Sequence, residues 1–153
     1  MGDDDTRWLN NREMSAWRSY IVGSALLEYR LSRELQTEHG VSLADYEILV
    51  QLSEQPRHRQ RMSELAQGVA HSKSRISHQI RRLEAKGLVL RRECPSDGRV
   101  VLALLTDEGK RLLRQAAPTH VAGVREHMVD FLDEEECRVL NCVFGRITEH
   151  LRD

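Results

Sequence analysis

One short interruption limits most strongly what this chain can fold into. Apolar residues recur every three or four positions along most of its length, the spacing of one helix face. That period fails between Leu88 and Leu105, where two β-like runs, Leu88–Arg92 and Arg99–Leu105, flank Cys94-Pro95-Ser96-Asp97-Gly98. Pro presets a turn dihedral, Asp bonds backbone beyond itself and Gly relieves steric limits, so the link reads as a hairpin turn. The chain is predicted to be mainly α with a small β-hairpin.

The helices follow from stripes and stop signals. Trp17, Tyr20, Ile21, Ser24, Leu27, Leu31 and Leu35 form the first stripe, and Gly40 ends it. Ser42-Leu43-Ala44-Asp45 reads as a capping box, with Leu43, Tyr46, Leu49, Val50 and Leu52 as the buried face and Pro56 as the stop. Arg57 to Arg61 reads as a loop. A short helix starts at Ser63 with Leu65, Ala66 and Val69 inward; Gly68-Val69-Ala70-His71 turns, and Ser72 caps a second helix reaching about Lys86. Gly87 closes that helix in a left-handed conformation. Beyond the hairpin, Thr106 with Asp107 and Glu108 opens a helix whose apolar positions are Leu112, Leu113, Ala116, Val121, Val124, Met128 and Phe131, with a kink expected at Pro118. Asp133 opens the last helix, striped by Val139, Leu140, Val143, Phe144, Ile147 and Leu151.

Charge separates a middle from two ends. The formal charge is −1, yet residues 57–99 hold eleven Lys/Arg against four Asp/Glu, while residues 1–56 hold five against ten and residues 100–153 seven against ten. A basic module between acidic ends suits a polyanion partner mounted on a scaffold with another task. The basic middle is expected to close a small core by itself. Both end stripes then need cover, and a second copy of the chain supplies it most economically; an intramolecular hairpin of the two end helices is the rival. Trp17, Leu140, Phe144, Ile147 and Leu151 are the candidate dimer contacts.

Several functions are excluded. No Gly-rich phosphate loop, Gly-x-Ser-x-Gly or His-Glu-x-x-His occurs, so no enzyme class is indicated. No apolar run approaches the roughly 18 residues that span a bilayer. Met1-Gly2-Asp3-Asp4-Asp5-Thr6 fits a bare myristoylation pattern, but three aspartates oppose the basic patch that a single acyl chain needs. The three cysteines, Cys94, Cys137 and Cys142, cannot all pair within one chain and read as reduced thiols of a cytoplasmic protein. Nothing in sequence near Cys94 depresses its thiol. The seven histidines show no His-x-x-x-His pair, and no metal or cofactor is expected.

The helix–turn–helix carries the function. At about 100° per residue, Ile76, Ile80 and Leu83 share one face, and Ser74, Ser77, His78 and Arg81 fall roughly 100–200° away from it. Each of these outward groups can bond a base edge or a phosphate, and Glu84 is the helix's single acid. A merely solvated helix would mix Glu and Lys in i,i+4 pairs. Lys73, Arg75 and Arg82 suit phosphates, and Arg81 can grip guanine with two parallel bonds. Arg91, Arg92 and Arg99 place guanidiniums on the hairpin, a ribbon able to enter a minor groove, where Asp97 can lock Arg99.

Three stretches resemble the MarR family of winged helix–turn–helix regulators. Asp97-Gly98-Arg99-Val100-Val101-Leu102-Ala103-Leu104-Leu105-Thr106-Asp107-Glu108-Gly109-Lys110 is similar to its wing and the following helix start, whereas Met62-Ser63-Glu64-Leu65-Ala66 and the run from Ser72 to Val89 are similar to its DNA-binding helices. The resemblance implies one domain over 1–153, with a winged helix–turn–helix lobe at 42–106 and dimerisation helices at 12–39 and 107–153. It also implies a homodimer on a pseudo-palindromic operator, generally as a repressor. Ser74, Ser77, His78 and Arg81 then match contact positions on double-stranded DNA, Arg99 with Asp97 match the wing arginine and its acidic partner, and Ser63 and Ser72 are further candidate DNA contacts. A small aromatic ligand that releases DNA is a further expectation. Trp17, Tyr20, Arg30, His39 and Tyr46 are cleft candidates, each with a plainer packing or surface-pair explanation. A winged helix that binds proteins instead of DNA is the alternative.

Overall fold

The computed structural model describes residues 6–69 and 73–152. Helix α1 spans Asn11–His39; Asn10 and Glu13 form a reciprocal capping box at its start, and Gly40 closes it at φ +71°. Helix α2 spans Leu43–Ser53 behind the expected Ser42–Asp45 box. A 3-10 turn at Pro56–His58 leads into strand β1, Arg59–Arg61, then α3, Met62–Gly68, and α4, Lys73–Ala85. The hairpin is β2, Val89–Cys94, and β3, Asp97–Leu105. Helix α5 covers Asp107–His127, capped by the Thr106 hydroxyl on Gly109 N–H, and α6 covers Glu134–Arg152. Asp133 and Glu136 exchange side-chain and backbone bonds at 2.8 and 3.0 Å, a capping box for α6.

Arg57–Arg61 is not all loop. β1 pairs antiparallel with β3, giving a three-stranded sheet in the order β1-β3-β2. Arg57 and His58 both take left-handed φ values, 57° and 52°, and bend the chain from α2 back along the hairpin. Three polar residues carry no apolar alternation, so only pairing with β3 marks them as a strand. The turn is also tighter than its composition suggested, because Cys94 pairs with Asp97 and leaves Pro95-Ser96 as the link, beside a register shift at Glu93/Cys94.

Two apolar clusters hold the molecule, and the basic middle does not close its core alone. One gathers Ile48, Leu49, Leu52, Leu65, Ile76, Ile80, Leu83, Val89 and Ala103; the other joins α1, α2 and α5 through Leu31, Leu35, Leu43, Tyr46 and Ala116. Leu113 of α5 packs against both. Along α2 the stripe omitted Ile48 and Asp45, which are fully buried, whereas Val50 is partly so. Helix α5 runs unbroken through Pro118 and stops before Phe131, which sits in a 3-10 turn and is 77% exposed; Val121 is also exposed.

Helix α4 ends as the sequence predicts. Gly87 at φ +73° lets its own N–H reach Glu84 O at 2.9 Å and Leu88 N–H reach Leu83 O at 3.0 Å. Thr106 then docks on the same corner, with its hydroxyl on Gly87 O at 2.7 Å and its N–H on Leu88 O at 3.1 Å. A Cβ at Gly109 would sit 2.3 Å from Leu88 O, so α5 leaves the sheet this closely only with glycine there. α3 begins at Met62, one residue ahead of expectation. The proposed turn residues Ala70 and His71 and the cap Ser72 lie outside the described residues. No described helix is long and apolar enough to cross a membrane.

Candidate nucleic-acid interface

The candidate surface is built on α4, whose inward face is secured by Ile76, Ile80 and Leu83, each 1% exposed or less. Gln79 shares that burial; about −60° from Ile76 it lies inside the wide apolar stripe, an angle that would have identified it. Away from that face, Ser74, His78 and Arg81 are exposed and Ser77 is half-buried, while Arg75 and Arg82 are exposed on one flank. Ser72 lies outside the described residues, and Lys73 opens the helix.

The hairpin divides its three arginines. Arg91 pairs in register with buried Ala103, on the sheet face that packs inward, and its guanidinium meets Glu84 of α4 at 2.8 Å. Strand alternation thus turns Arg91 toward α4, where its ion pair ties the wing to the helix. Arg92, one residue on, is exposed. Arg99 has 93% of its side chain exposed, while Asp97 Oδ1 accepts from both its backbone N–H at 3.1 Å and its Nε at 3.3 Å. The expected Asp97 lock on Arg99 is therefore formed.

Between wing and helices runs a cleft of about 360 Å³ lined by Arg61, Met62, Ser63, Ile76, Ser77, Arg99, Val100 and Val101. It brings Ser63, Ser77 and Arg99 together from three elements, and none of its described lining residues is acidic. Arg61 is a member that sequence reading missed, because Arg57–Arg61 looked like an unplaced loop. Its Nε stands 3.9 Å from Glu64 Oε1. Cys94 also differs from expectation: the Ser96 hydroxyl, 3.1 Å from Sγ, holds its thiol below the ordinary range, with Ser96 and Asp97 backbone and Arg61 adding to the effect.

The sequence profile of the MarR family matches residues 41–101. Sco3205, a MarR family transcriptional regulator from Streptomyces coelicolor solved in complex with DNA, is 44% identical, with 99% of this chain and 94% of that one covered and a TM-score of 0.94. AbsC, a MarR family regulator from the same organism, is 46% identical over 96% of this chain and 99% of that one, with a TM-score of 0.90. The chain belongs to the MarR family. The transcriptional repressor YetL of Bacillus subtilis is 31% identical to it over 112 residues, 71% of this chain and 67% of YetL. This MarR-family chain is accordingly a winged-helix transcriptional regulator and not an enzyme.

The regulator's end helices leave apolar surface open. Trp17 is 54%, Ile147 43% and Leu151 75% exposed, and Leu140 and Phe144 are half-buried. Tyr20 and Phe144 rings meet at 5.2 Å, linking α1 to α6, yet α6 contributes no buried residue. Tyr20 and Ile21, expected in a buried stripe, are also exposed in the single chain, whose α1 core contacts concentrate at Leu31 and Leu35.

A second cleft of about 330 Å³ lies where α2, the end of α3 and α5 meet, lined by Tyr46, Glu47, Val50, Gln51, Gly68, Val69 and His120. Tyr46 was a sequence candidate, and burial raises its phenol. Trp17, Tyr20, Arg30 and His39 do not line this cleft; Arg30 pairs with Glu34 at 3.0 Å, the plain surface pair. The His120 ring lies 4.7 Å from Tyr46, its buried Nδ1 has no hydrogen-bond partner among the described residues, and desolvation lowers its pKa. The other central histidines join α1 to α5, His39 meeting Thr119 at 2.8 Å and His127 meeting Glu34 at 2.7 Å. That last bond, more than the Arg30 pair, holds the Glu34 carboxyl below its usual value.

Proposed function

We propose that this MarR-family regulator binds a pseudo-palindromic operator as a homodimer and represses transcription there. In this reading α4 lies in the major groove, with Ser74, Ser77, His78 and Arg81 toward base edges and nearby phosphates. Ser63, Ser72, Lys73, Arg75 and Arg92 take phosphates, and Arg99, aimed by Asp97, takes the minor groove. The lobe is 42–106, and 12–39 with 107–153 form the dimer scaffold.

One observation carries the reading: α4 turns a face of hydroxyls, imidazole and guanidinium outward over a fully buried aliphatic face, beside an exposed Arg99 that bonds to Asp97. The DNA complex of Sco3205, 44% identical along nearly the whole chain, supports it. Exposed Trp17, Ile147 and Leu151 favour a second copy over an intramolecular hairpin, because one chain leaves them uncovered. The Tyr46–His120 cleft reaches Gly68-Val69 at the end of α3 and sets the apolar Val50 and Val69 beside the polar groups of Tyr46, Glu47, Gln51 and His120, a mixed lining that suits a small aromatic ligand that releases DNA. Free cysteines agree with a cytoplasmic setting.

Selection of bound sites from random duplexes tests the whole. The expected product is a palindrome with half-sites about 34–36 Å apart. Its affinity should fall steeply with salt as displaced counterions are recovered. No enrichment of any sequence would refute the proposal in favour of a protein-binding winged helix.

A further inference from the structure

We propose that Asp45 is a positioning residue for sequence reading, latching the recognition helix through Arg82 to the corner between α1 and α2. The inference rests on α4 being the reading helix. Arg82 was expected to serve phosphates, and nearly half its side chain is exposed, yet its Nη2 lies 3.3 Å from Oδ2 of fully buried Asp45. That same oxygen accepts from Ser42 N–H at 3.4 Å, whereas Oδ1 has no hydrogen-bond partner among the described residues. A buried carboxylate with one oxygen already unserved gives up a facing cation at heavy cost, so Arg82 is committed inward.

A second anchor lies four residues on, in the turn that directly follows α4. Lys86 Nζ donates to Gly40 O at 2.7 Å, at the residue that ends α1. The corner is itself tied to α1, since Ser32 Oγ accepts from Leu43 N–H at 3.1 Å. Two cations four residues apart thus grip the start of α2 and the end of α1. They fix the roll of α4 about its axis, and Arg81, next in sequence to Arg82, inherits that roll. Bonding a base edge needs a fixed angle, while attraction to phosphate does not. The latch therefore governs discrimination between sequences more than overall attraction to DNA.

The test compares the selected operator with a scrambled duplex of equal length, over a salt series, for wild type, Asp45→Asn, Arg82→Gln and the double variant. Each single change should lower the operator-to-scrambled affinity ratio about tenfold, with an unchanged salt slope and a double variant no worse than the worse single. The latch is overturned if Arg82→Gln weakens both duplexes alike and reduces the salt slope by about 0.9 while Asp45→Asn leaves the ratio intact, the behaviour of a phosphate ligand. It is equally overturned if no ratio moves. Should Asp45→Asn lose its cooperative melt, Lys86→Met decides at the second anchor: a ratio about threefold lower supports the latch and an unchanged ratio sinks it. A wild-type protein that prefers no duplex would refute the operator proposal itself and is separable from all of these outcomes.

Discussion

Arg81 and Arg99 are both exposed guanidiniums, but their settings predict different losses. Arg81 projects from a rigid helix opposite the core, so Arg81→Ala should weaken operator binding by about tenfold or more and relax preference at one base pair. Arg99 reaches from the wing under the Asp97 clamp, so Arg99→Ala should weaken binding to different sequences alike. Gel shifts on the operator and on single-base variants separate the two, and equal binding by wild type and both variants would remove these roles. The outward direction of Arg81 was legible from helical angle alone, and the Asp97–Arg99 bond from a separation of two residues. The fates of Arg82 and Arg91 were not. Their partners, Asp45 and Glu84, stand 37 and seven residues away and depend on how α2 and the sheet meet α4.

At the scale of elements, the wing turn sets the chemistry of Cys94. The Pro95-Ser96 link brings the Ser96 hydroxyl onto the thiol, which therefore ionises below its ordinary range. Ser96→Ala should raise that pKa and slow alkylation of Cys94 near neutral pH, as read by mass spectrometry; an unchanged rate would dismiss the hydroxyl as the cause. The contact between α2 and α5 makes a pH prediction. Burial depresses the His120 pKa in the folded state, so the unfolded chain takes the proton more readily. The corresponding stability is present above the unfolded imidazole value of about 6.5 and is lost as pH falls toward the folded one. His120→Phe keeps an aromatic ring against Tyr46, so its melting temperature should fall less than that of wild type on acidification below about pH 6.5. Parallel curves would discount His120. Caps, stripes and terminating glycines were readable at this scale because they act within a few residues. β1 was not, since three polar residues become a strand only by pairing with β3.

For the whole molecule, the open stripe on α6 predicts the assembly. Ile147→Asp places a charge in the proposed dimer seam and should shift sedimentation from dimer to monomer at micromolar concentration. Operator affinity should then drop by about a hundredfold or more, because two linked half-site contacts become one. A monomeric wild type in the same measurement would overturn the seam. By itself the sequence determined the helical majority, the lone hairpin, the hydroxyl and guanidinium outward face of α4 and the apolar stripes of the end helices, since each is written in residue type and short-range spacing. Only the tertiary structure decided that β1 completes the sheet, that a second core joins α1 and α2 to α5, and which arginines are tied inward. Those outcomes depend on which distant groups are brought together and stripped of water, and no local pattern records that.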